Sequence, residues 1–149
     1  MFRLFACCAL LVVSLAACAE SSADQRDSGL DATVVEFDGD AFPASPPSLV
    51  RTAIYTSTDQ VAPELTGPTV DRIRAGLASG KAYVTALVQT HCRVALHAEL
   101  ARAGDDLVVS MVGGQDHEEC FRAVAGFAVF EVASGAIAGA KTVNGTAPE

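Results

Sequence analysis

His91-Cys92-Arg93-Val94-Ala95-Leu96-His97-Ala98-Glu99-Leu100 is apolar at every even position. Opposite that row, His91, Arg93, His97 and Glu99 are polar, and only Ala95 breaks the pattern. Alternation of period two over such a length marks a β-strand with one buried face and one wet face. The stretch therefore predicts a half-buried strand and sets the class of the fold.

The neighbouring segments agree with it. Ala103-Gly104-Asp105-Asp106 is a turn, and residues 107–112 are a short apolar strand, which together predict a β-hairpin. Residues 81–90 and 49–56 are rich in β-branched and aromatic residues and read as strands. Residues 120–132 are apolar on both faces, as in a central strand. Thr33-Val34-Val35 is a short candidate strand, closed by a turn signal at Asp38-Gly39-Asp40. Residues 42–47 carry three prolines and predict a connecting loop. Residues 57–68, with Pro63, Gly67 and Pro68, predict another loop, and residues 113–119 an exposed acidic one. Residues 133–140 read as a Gly-bearing turn, and residues 141–144 as a last short strand.

One segment fits two periods. Val70, Ile73 and Leu77 have helical spacing, with Thr69 as N-cap, whereas Ile73, Ala75 and Leu77 have strand spacing. The spacing favours one short helix near residues 69–78. Short strands recurring about every ten residues, with turns between them, predict a mainly β domain: an antiparallel β-sandwich of immunoglobulin-like type.

The N-terminus is of a different kind. Arg3 is followed by residues 4–17, apolar except for Ser14. A run of about 14 residues is short of the roughly 20 that span a bilayer, and suits the core of a secretory signal peptide. It ends in Leu15-Ala16-Ala17-Cys18. That tetrad resembles the lipobox of bacterial lipoproteins: an aliphatic residue, two small residues and a cysteine. The resemblance implies a signal peptide over residues 1–17, cleavage before Cys18 and diacylation of the Cys18 thiol. It also implies a location in the cell envelope. With Ala19 rather than aspartate after the cysteine, it favours the outer membrane over the inner. Residues 18–29 would then be the lipidated cysteine and a polar tether, and residues 30–149 a single sandwich domain.

This assignment simplifies the cysteines. Cys7 and Cys8 leave with the signal peptide and Cys18 carries lipid. Cys92 and Cys120 remain, an even pair in an oxidising compartment, and a disulfide between them is expected. Its loop of about 29 residues would contribute roughly 3–4 kcal/mol. Two free thiols are the alternative. The C-terminal end carries a second resemblance. Many small bacterial lipoproteins close with a cysteine, an aromatic-bearing strand, a Gly-bearing turn and a strand ending Val-Asn-Gly. Cys120, Phe127-Ala128-Val129-Phe130, Gly135 to Gly139 and Val143-Asn144-Gly145 follow that outline, although the last strand lacks the usual aromatic residue. The outline implies an immunoglobulin-like sandwich and no particular activity.

Composition narrows function. The formal net charge is −8, and loss of Arg3 makes it more negative. With no basic cluster, nucleic acid is an unsuitable partner. The absence of Trp and the presence of only two Tyr argue against a carbohydrate-stacking surface. No G-x-S-x-G elbow, H-E-x-x-H pair or Gly-rich phosphate loop occurs, so no catalytic residue and no cofactor is assigned. Cys92 with His97, and His117 with Cys120, have ligand-like spacings. In one strand, however, an odd offset points Cys92 and His97 to opposite faces. A site without sulfur is the alternative function: His91, His97 and His117 holding a divalent metal beside Glu99, Asp116 and Glu118. The main expectation is a lipid-anchored binding or structural module, held to the membrane by its lipid and partnered by another envelope protein.

Overall fold

A computed structural model of the chain describes residues 28–41, 52–115 and 124–148. Among these, eight strands form two four-stranded sheets. The first sheet has the order β1 (Ser28–Gly29), β5 (His97–Ala103), β6 (Asp106–Val112), β8 (Thr142–Val143). The second has the order β2 (Ala32–Ala41), β7 (Val124–Ala133), β4 (Lys81–His91), β3 (Thr52–Tyr55). All pairings are antiparallel except the short parallel contact of β6 with β8.

The two sheets pack face to face. Val84 of β4 and Phe130 of β7 meet Leu100 of β5 and Leu107 and Val109 of β6, all nearly or fully buried. The opposite face of the second sheet is covered by α1 (Pro68–Ala78). Val70, Ile73 and Leu77 pack there on Tyr83, Phe127 and Val129. Each such side chain contributes about 1.5–3 kcal/mol when removed from water. Being covered on both sides, β4 and β7 carry apolar residues on both faces, as the sequence of residues 120–132 predicts. The mainly β expectation and the sandwich hold, with a single helix. An immunoglobulin-like strand order is not confirmed, for α1 connects β3 to β4 and β8 pairs in parallel. No helix among the described residues is long and apolar enough to cross a membrane.

The helical period wins over residues 69–77, because only a helix puts Val70, Ile73 and Leu77 on one face. The helix starts earlier than expected. Pro68 is its first residue and Gly67, at φ +126, is the N-cap, so Thr69 does not cap it. Proline at this place loses no helical hydrogen bond. Gly76 lies inside the helix, at a cost of about 1 kcal/mol relative to alanine. Its lack of a side chain is used: a Cβ there would stand 1.8 Å from the Tyr83 hydroxyl. Ser79 closes the helix, its hydroxyl donating to the Gly76 carbonyl at 2.7 Å.

Three expectations are corrected. The ten-residue alternation is not one strand. β4 ends at His91, whose φ of +57 turns the chain, and β5 begins at His97. Residues 92–96 are a corner that carries the chain from one sheet to the other. Leu96, on the predicted buried face, is 70% exposed, while Ala95, on the predicted wet face, is buried. True alternation survives only in His97 to Leu100, with Ala98 and Leu100 inward. Second, Asp38-Gly39-Asp40 does not end its strand. It lies within β2, at one of two places where the register with β7 shifts. A bulge and a turn both favour Gly and Asp, since both depart from regular extended backbone. Gly39 lets the corner approach: its carbonyl accepts the Ala95 amide at 3.3 Å, and a Cβ would meet the Ala95 oxygen at 2.0 Å. Third, the last two tether residues, Ser28 and Gly29, pair with Arg102 and Ala101. Residues 42–51 and 116–123, and with them the proline loop, most of the acidic loop, His117 and Cys120, lie outside the described residues, as does Cys18.

The predicted β5–β6 hairpin is present. Ala103 pairs with Asp106 across Gly104 and Asp105, with Gly104 at φ +66 as such a tight turn requires. The C-terminal end is fastened to it. Asn144, at φ +50, accepts the Val109 amide on Oδ1 at 2.8 Å and donates from Nδ2 to the Val109 carbonyl at 3.2 Å. One side chain thus completes the β6 edge as a strand residue would. Asp106 accepts the Thr142 hydroxyl at 2.6 Å and the Gly145 amide at 3.0 Å. Arg102 ties the hairpin to the segment after β7, donating to the carbonyls of Gly104, Ala136 and Ala138.

Candidate functional site

Among the described residues the most organised polar cluster is built around Glu131, the only charged residue of β7. Register places it beside Thr33 of β2 on one side and Tyr83 of β4 on the other. Its Oε2 accepts the Tyr83 hydroxyl at 2.7 Å. Its Oε1 is bonded by the Lys81 ammonium. The Arg72 guanidinium, from α1, has Nε 3.8 Å from Oε2. The Lys81 bond, and then that of Tyr83, hold the Glu131 carboxyl below the ordinary glutamate value. Burial, reinforced by the Glu131 bond and charge, pushes the Tyr83 phenol up to about 12.

Both groups keep one protonation state near neutrality: carboxylate accepting, phenol donating. Both carboxylate oxygens are engaged, so the cluster works as a clamp between α1 and the sheet rather than as a general base. A hollow of about 400 Å³ opens beside it, bounded by the polar Asp31, Thr33, Lys81 and Ser134 and by the apolar Val132 and Ala133. Sequence reading missed the cluster because its members are brought together only by strand register and by the packing of α1 on the sheet. The available signal was Glu131 itself, a single charge in a strand otherwise apolar on both faces, where an unpartnered carboxylate would be costly.

A second concavity, of about 520 Å³, lies over the β5 edge. Leu30, Val34, Leu100 and Phe130 give it an apolar lining, and Glu99 and Ser110 are its polar groups. The exposed Val34 stands at its margin.

The sequence-predicted histidines are not united by one strand. His91 closes β4 in the second sheet and His97 opens β5 in the first, so no single exposed strand face joins His91 and Arg93 to His97 and Glu99. The His97 Nε2 lies 3.4 Å from the Glu99 carboxylate, both side chains being exposed. Among the described residues no group of three or more His, Cys, Asp or Glu side chains is placed to hold a metal ion. His117 lies outside them. Cys92 is disulfide-bonded, and its expected partner Cys120 falls outside the described residues.

The chain matches no protein family, no curated protein and no solved structure.

Proposed function

We propose that the chain is a lipid-anchored protein of the bacterial cell envelope whose sandwich domain serves as a binding or structural module. The observation that carries this reading is the tetrad Leu15-Ala16-Ala17-Cys18, followed after about ten residues by the first strand pairing of the domain, Ser28 with Arg102. Cys18 carries the lipid. Each buried methylene adds about 0.8 kcal/mol of membrane affinity, so two or more acyl chains hold the protein firmly. The tether of residues 19–27 lets the domain stand just off the bilayer, with the outer membrane favoured by Ala19. The disulfide pairs Cys92 with Cys120 and braces the corner that leads from the second sheet to the first. The partner is another envelope protein rather than nucleic acid, and the domain performs no catalysis.

The test is expression of the full chain and of C18S in a bacterium supplied with radiolabelled palmitate. The wild type takes up label and sediments with membranes. C18S is unlabelled. An unlabelled wild type, or a C18S chain that takes up as much label as the wild type, overturns the anchor. For the disulfide, thiol labelling without reductant leaves Cys92 and Cys120 unmodified, and modification of both refutes the pair.

A further inference from the structure

We infer that the β5 edge, beyond the short β1, is a docking slot for an extended segment of a partner protein in which apolar and cationic residues alternate. The inference rests on the binding-module reading and names the partner's chemistry.

Exposed strand edges invite pairing, and folded proteins usually blunt them. Among the described residues the other edges are blunted. β2 is interrupted by two register shifts and carries Glu36, Asp38 and Asp40. The described part of β3 is four residues long. Beyond the short β8, the β6 edge is capped by the Asn144 side chain on both backbone groups of Val109. Among the described residues β5 is blunted less: His97, Glu99 and Arg102 are its charged or titratable residues, and β1 covers Arg102. The register of β5 with β6 runs without a shift from His97 to Ala103, and β5 contains no proline or lysine.

β1 shows how that edge is used. It covers Arg102 and Ala101, and the Leu30 amide donates to the Leu100 carbonyl at 3.0 Å. The chain then leaves for the second sheet at Ala32. Backbone groups alternate in direction along an antiparallel strand, so those of Ala98 point the same way as those of Leu100. They face the side that β1 has left, where the 520 Å³ concavity lies. A strand added there would continue the line of β1.

Side chains of an added strand alternate between two faces. One face would meet the apolar side of the concavity, where Val34 is exposed over the buried Leu100 and Phe130. The other would meet Glu99, whose side chain is 66% exposed, on the outer surface of the sheet. Lysine or arginine at those positions complements Glu99 and a chain of net charge −8. A second copy of this chain carries the same charge and is repelled, which selects a different protein as occupant.

The experiment uses the full chain in detergent micelles and fluorescence anisotropy of a short labelled peptide of alternating valine and lysine. The lysine peptide is expected to bind at least about tenfold more tightly than a valine–glutamate peptide at low salt, and salt should weaken it. Ala98→Pro removes the outward-facing amide without touching the β6 ladder, and should weaken binding at least about tenfold. Should Ala98→Pro not fold, the same lysine peptide N-methylated at alternate residues gives the equivalent arm on the unaltered protein. Equal affinity for the two peptides, no binding of either, or binding indifferent to N-methylation overturns the proposal. A concentration-dependent dimer that excludes the peptide overturns it in favour of a second copy. Palmitate labelling of Cys18 is independent of these readouts, so failure of the slot and failure of the anchor are told apart.

Discussion

Replacing Asn144 by alanine removes a side chain that substitutes for a strand. Two partly buried hydrogen bonds to Val109, at 2.8 and 3.2 Å, are lost. Each contributes about 1 kcal/mol net. The backbone at φ +50 is one that asparagine tolerates and alanine resists, adding about 1 kcal/mol of strain. The expected loss is about 2–3 kcal/mol, or about 8–10 °C in Tm for a domain of this size. Urea unfolding followed by far-ultraviolet circular dichroism measures it. Asn144→Gly loses the same bonds without the strain and should fall between wild type and Asn144→Ala. Asn144→Asp turns a carboxylate oxygen towards the Val109 carbonyl and should be no better than alanine. An Asn144→Ala chain within about 0.5 kcal/mol of wild type would refute the edge-capping role, since surface changes of that size need no special cause. A glycine variant less stable than the alanine variant would refute the backbone part of the reasoning.

Gly76→Ala gains about 1 kcal/mol of helix propensity. It nevertheless places a Cβ 1.8 Å from the Tyr83 hydroxyl and 2.6 Å from its ring, and should lower the melting temperature by displacing that phenol from Glu131. Because Glu131 is held below its ordinary value, its stabilisation is present at neutral pH and lost as pH falls through the ordinary glutamate range. Thermal melts of Glu131→Gln should therefore show a smaller drop between neutral pH and about pH 3 than the wild type. The Tyr83 phenol, raised from 10 to about 12, contributes at and below pH 10, and that contribution disappears as pH rises towards 12, a loss absent from Tyr83→Phe. Gly39→Ala forces a Cβ against the Ala95 oxygen and should speed hydrogen exchange at the Ala95 amide while the hairpin amides stay protected.

Patterns confined to one element were legible in the sequence. The hairpin, β4 and the central β7 follow from turn chemistry and from apolar faces, which short windows contain. Corners are not legible in this way. Residues 91–96 keep the parity of a strand although the chain is turning at His91, because polarity says which residues avoid water and not whether the backbone stays straight. The DGD signal at residues 38–40 was genuine, but glycine and aspartate serve a bulge as well as a turn. The Glu131 clamp was hidden for another reason: Lys81 and Tyr83 reach Glu131 across about 50 residues of chain through the β4–β7 register, and Arg72 arrives with α1 packed on the sheet.

The pairing of β2 with β7 has a kinetic consequence. It joins Ala32 to Val132 and Ala41 to Ala125, so roughly a hundred residues must be gathered before the first long strand has a neighbour. The β5–β6 hairpin, by contrast, closes across two residues and is free to form at once. During synthesis from the N-terminus, β2 emerges early and waits for nearly the whole chain. Its bulges and acidic residues, which blunt it in the finished fold, also guard it during that wait, when an unaccompanied flat strand would be most prone to pair with another chain.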